Sequence, residues 1–161
     1  MSFLAKIEEG VEAGLRRFGV AVLQLTLGLV YVWFGWLKLV DASPIIPVIR
    51  VAFREMPYPF FPYLLGSWEI VIGAGLLLPF LPLPRRIETA IVRIALLLLF
   101  LQLCGTFAAA ILAPAAFFSP TLPYLTVVGE FLMKNLVFAA AGLVIAGHLR
   151  TPDDTFRRFE D

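Results

Sequence analysis

Glu130 and Lys134 lie one helical turn apart inside residues 121–149, TLPYLTVVGEFLMKNLVFAAAGLVIAGHL, a stretch long and apolar enough to cross a bilayer. A carboxylate or an ammonium near mid-span opposes insertion by about 2.5–3.5 kcal/mol, so each needs a partner, water or a ligand within the protein. Their i, i+4 spacing, acid first, is the order that favours a local ion pair. Lys38, Glu69, Gln102 and Thr106 each fall in another apolar stretch, and with Glu130 and Lys134 they make a candidate ligand or proton site. Two lysines against two glutamates leave that layer neutral overall. It has two readings: a device that fixes helix register, or a pocket in which a carboxylate holds a proton or hydrogen-bonds a ligand. The spacings assign no catalytic residue.

The elements that position these residues follow from hydropathy and punctuation. The chain has 161 residues, 60% of them hydrophobic and 16% charged, with a mean hydropathy of +0.90, which places it among membrane proteins. Residues 1–17 read as an amphipathic cytoplasmic or interfacial segment, with Phe3, Leu4, Ile7, Val11 and Leu15 at helical spacing. They do not resemble a cleaved signal, so the first span is expected to remain as an anchor. Residues 18–149 form one domain with spans near 18–40, 63–80, 87–113 and 121–149, and residues 150–161 are a polar tail. On the first span Gln24, Gly28, Tyr31, Gly35 and Lys38 recur at steps of three and four, so the small and polar residues share one stripe facing the bundle. Gly66, Glu69 and Gly73 repeat the device on the second, where glycine permits close helix approach.

Residues 41–62 are too apolar for a disordered connection. Pro44 or Pro47 opens a short helix there and Pro57 and Pro59 end it, with Arg50 and Arg54 one turn apart on one side. This helix is either an interfacial filler or a lid with a functional arginine pair. The prediction is an all-α, four-helix transmembrane bundle with a short extracytoplasmic or interfacial helix between helices 1 and 2.

Direction and charge then set the depths. Lys6, Arg16, Arg17, Arg85, Arg86, Arg150, Arg157 and Arg158 fall on the side of the termini, against Arg50 and Arg54 on the other, which predicts cytoplasmic termini. At 1.5 Å per residue, Glu69, Thr106 and Glu130 lie roughly 10 Å below the outer boundary, with Lys134 about 15 Å below it and Lys38 near the rim. The net charge of +1 argues against a nucleic-acid partner. With one cysteine, Cys104, and one histidine, His148, a single copy can build no internal disulfide, no His/Cys metal site and no haem held by two histidines.

Four segments in this order, FGWLKLVDASP, GSWEIVIGAGLLL, LLFLQLCGTF and GEFLMKNLVFAAAGLVI, resemble the DoxX-like family of small four-helix bacterial membrane proteins over residues 18–146. The matching positions are Gly35, Lys38, Glu69, Gln102, Gly105, Thr106, Glu130, Lys134 and Asn135. The resemblance implies a bacterial inner-membrane protein in a redox-linked or oxidative-stress system. It also implies a pocket for a quinone-like molecule, no covalently bound cofactor, and a protein partner or second copy within the lipid bilayer. If an enzyme is involved, the chain is expected to be a membrane subunit of a quinone-linked oxidoreductase rather than the whole of it. A structural or assembly subunit and a small proton-linked transporter remain the alternatives.

Overall fold

The computed structural model describes residues 3–52, 55–119 and 124–149. It contains α1 (Phe3–Leu39), α2 (Ile46–Ala52), α3 (Phe60–Leu77), α4 (Arg85–Leu112), α5 (Pro114–Phe117) and α6 (Val127–His148), with a single 3₁₀ turn at Leu78–Phe80. Four segments are long and apolar enough to cross a membrane: Ile7–Leu39, Phe60–Phe80, Arg85–Leu112 and Val127–His148. The chain is therefore a multi-pass, all-α four-helix bundle, and α2 and α5 are the short helices that cover one end of it.

The closest pair is α1 and α3, and glycine is the reason. A Cβ added to Gly35 would fall 2.5 Å from the Gly66 carbonyl oxygen, and one added to Gly66 would fall 2.8 Å from that of Gly35. Seven residues along each helix the contact recurs, where a Cβ on Gly73 would meet the Gly28 carbonyl oxygen at 2.6 Å. Backbone thus lies on backbone at two levels, and the reciprocal pairing of 28 with 73 and 35 with 66 makes the helices antiparallel. In lipid, where apolar side chains gain little by leaving their surroundings, such close backbone contact is what holds helices together. The other spans complete a ring, with α4 packed against α3 and α6, and α6 against α1.

Packing is uneven along the bundle. In the half nearer the termini, Ile72, Leu76, Leu99 and Ile145 are fully enclosed and join Leu27, Val92 and Ala141 in one core. Toward the α2–α5 end the only other buried cluster among the described residues is small: Ala109, Ala110, Phe117 and Leu132. The space between the two clusters is a cavity.

Turn chemistry builds the covered end. Asp41 ends α1 in the left-handed region at φ 54°, and its carboxylate accepts hydrogen bonds from the Tyr58 hydroxyl at 3.0 and 3.1 Å. Arg50 of α2 stacks over the same ring at 3.7 Å from its centre. Ile46 and Ile49 turn the other face of α2 into the protein. At the opposite corner Thr126 caps α6, accepting from the Gly129 N–H at 3.1 Å and donating to the Ala116 carbonyl at 2.7 Å, which ties α5 to the start of α6.

Two boundaries differ from the sequence reading. The helix does not break at residue 17: α1 is one element of 37 residues, about 55 Å long at 1.5 Å per residue. Glu12 and Arg16 pair along it at 2.9 Å, supporting the helical state of a polar segment. α6 begins at Val127, with residues 124–126 outside it, so Glu130 belongs to its first turn and not to the middle of a span. Residues 150–161, read as the tail, lie outside the described residues.

Candidate functional site

Lys38 and Glu69 project from adjacent helices, each one turn beyond a glycine of the α1–α3 contact, Gly35 and Gly66. Close backbone approach brings the two side chains within reach of each other. The Lys38 ammonium donates to Glu69 Oε2 at 2.5 Å, and both residues are more than nine-tenths buried. The second carboxylate oxygen, Oε1, accepts from Gln102 Nε2 of α4 at 2.7 Å. Each oxygen of Glu69 therefore takes a charge-assisted hydrogen bond from a different helix. Gln102 Oε1 faces the other way and, among the described residues, is the one buried side-chain acceptor without a partner.

These groups stand on the wall of a cavity of about 520 Å³. That volume lies within the range of roughly 300–1,000 Å³ typical of small-molecule sites. All four spans line it, and α2 and α5 contribute Ile49 and Phe117 where they cover the bundle end. The walls are mostly apolar and aromatic, with Phe34, Trp68, Phe131 and Phe138 among them. Two contacts stiffen the wall: Trp68 Nε1–H donates to the Leu98 carbonyl at 3.2 Å, and the rings of Tyr31 and Phe138 lie 5.6 Å apart at 57°. Gly105 also lines the cavity, and a Cβ added there would meet nothing within 4 Å.

The sequence-derived residues separate into three groups. Lys38, Glu69 and Gln102 are joined in one hydrogen-bonded cluster. Thr106 and Lys134 line the cavity without joining it. The Thr106 hydroxyl donates to the Gln102 carbonyl one turn back at 3.1 Å, and the Lys134 ammonium lies 4.7 Å from the centre of the Phe131 ring. Glu130 is exposed, is not part of the cavity wall, and makes no ion pair with Lys134. At the first turn of α6 a carboxylate gains from the helix dipole, so Glu130 has a stabilising environment without Lys134.

Of the arginine pair, Arg50 turns away from the cavity onto Tyr58, so it fastens α2 and does not face a bound molecule. Arg54 lies outside the described residues. The contributions of Tyr31, Trp68, Asn135 and Phe138 to the wall are additions. The helical stripe through Gly28, Tyr31 and Lys38 signals the first of them, and aromatic residues elsewhere were equally explained by an interfacial belt.

Among the described residues no group of three or more His, Cys, Asp or Glu side chains could hold a metal ion. The arrangement can enclose a largely apolar molecule and present it with a wall of hydrogen-bonded Lys38, Glu69 and Gln102. Comparison with protein-family models, with curated proteins and with solved structures finds no match.

Proposed function

We propose that this chain is an integral membrane component of a redox-linked or oxidative-stress system, and that its cavity binds a quinone-like lipophilic molecule. The observation that carries the reading is the junction of an apolar cavity with the buried Lys38–Glu69–Gln102 cluster. Ionisable groups within membrane spans are rare and characteristically mark sites and pathways. The likeness of the four sequence segments to DoxX-like proteins supports the same system, and family membership is part of the proposal. So are a bacterial inner-membrane location, cytoplasmic termini and a protein partner or second copy that supplies electron transfer.

Gentle extraction followed by native mass spectrometry tests the reading. A lipophilic redox molecule retained by the parent and lost on Glu69→Gln supports it. A chain that carries no small molecule and travels only with a large assembly removes it.

The second reading is a structural subunit whose ion pair fixes helix register. The near-complete mutual satisfaction of Lys38, Glu69 and Gln102, beside the glycine contacts, favours that role for the cluster. It leaves the cavity beside the cluster unexplained.

A further inference from the structure

The two lysines on the cavity wall are in different electrical situations. Lys38 is matched by Glu69. Lys134 is exposed where Lys38 is buried, has no carboxylate partner among the described residues, and rests its ammonium on Phe131. Phe131 lies one turn nearer the start of α6, so the Lys134 side chain bends toward the covered end of the bundle. Asn135, beside it on the wall, is half-buried, and its side-chain amide has no hydrogen-bond partner among the described residues. An ammonium within a span opposes insertion, and a cation–π contact offsets only part of that cost. The exposed ammonium thus stands at the edge of an apolar chamber with no carboxylate beside it.

We propose that the cavity takes an anionic amphiphile, its oxyanion held by Lys134 with the Asn135 amide and its apolar chain running into the chamber toward Lys38, Glu69 and Gln102. The inference rests on the cavity being a ligand site, as proposed above, and assigns it an occupant with an acidic head in place of a neutral quinone-like one. The geometry suits supply from the membrane itself. With the head at the covered end and the tail toward the bilayer centre, the ligand keeps the orientation of the neighbouring lipids and enters without inverting. The head chemistry, an oxyanion on an acyl chain, is shared by a free fatty acid and by an acidic phospholipid.

The test uses the full chain in phosphatidylcholine nanodiscs, with Trp33→Phe and Trp36→Phe leaving Trp68 on the cavity wall as the fluorophore. Brominated stearic acid should quench Trp68, and brominated stearyl alcohol, which has the same chain and a neutral head, should bind roughly tenfold more weakly. Lys134→Met should lower the affinity for the acid by a similar factor and leave that for the alcohol unchanged. Lys134→Arg should retain acid binding. Gly105→Leu, which projects into open space, should abolish quenching by both in a protein that still melts cooperatively.

Equal binding of acid and alcohol, or acid binding indifferent to Lys134→Met, overturns the inference. If a neutral alkyl quinone binds and the acid does not, the ligand site stands and its acidic specificity falls; if none of the three quenches, both fall. Phosphatidylglycerol added to the nanodiscs identifies the source: displacement of the brominated acid supports a phospholipid head at Lys134, and its absence supports the single-chain acid.

Discussion

Both oxygens of the Glu69 carboxylate are held by donors from other helices, and this makes the residue intolerant of losing one neighbour at a time. Removing one member of a buried ion pair typically costs about 3–5 kcal/mol, because the other charge is left without compensation. Glu69→Leu and Lys38→Met should each destabilise by that order, and the double variant should cost clearly less than their sum. Unfolding of all four proteins in the same detergent measures the coupling, and simple additivity would refute the pair. Glu130→Gln and Lys134→Met, by contrast, should show a coupling well below that of Lys38 and Glu69, since these exposed side chains make no ion pair. The sequence could not separate the two cases. Spacing on one helix showed that Glu130 and Lys134 were able to pair. It carried no information on where α6 begins or on the competing Phe131 ring, and both decide the outcome.

At the scale of the elements, the glycines make the sharpest distinction. A methyl at Gly35 or Gly73 would press on a backbone carbonyl of the facing helix, which cannot move aside without parting α1 from α3. Gly35→Ala and Gly73→Ala should therefore lower stability by about 1–3 kcal/mol, the usual cost of overpacking. Gly105→Ala should raise it by about 0.5–1 kcal/mol, because the helix gains a better former and nothing is displaced. Thermal melts of the three variants check the order, and equal effects at all three positions would count against the close pair. The spans and the bundle-facing stripe of α1 were legible in residue periodicity, since Gly28, Tyr31, Gly35 and Lys38 are all buried. The continuity of α1 through residue 17 was not. A polar amphipathic segment and an apolar span differ in composition, but nothing in that difference requires the backbone to bend between them.

For the whole molecule, the consequence is an uneven distribution of stability between a packed half and a hollow one. Leu99, fully enclosed in the main core, should cost about 2–5 kcal/mol on truncation to alanine. Leu112, exposed on the cavity wall, should cost less than about 0.5 kcal/mol. Comparable losses at the two sites would mean that the cavity closes in solution. The cavity itself was legible only as a layer of polar residues at similar depth. Its volume depends on α4 presenting Gly105 and Ala108 where larger residues would fill the space, and that is a matter of helix rotation. The close pairing of α1 with α3 also bears on how the protein is made. Each of these spans taken alone would bring an uncompensated charge to the translocation machinery, whereas a hairpin already locked at its glycines brings Lys38 and Glu69 as a neutral pair. The two spans then have reason to leave the channel together, so a ribosome-bound chain ending before residue 66 should be inserted less stably than one that has emitted Glu69.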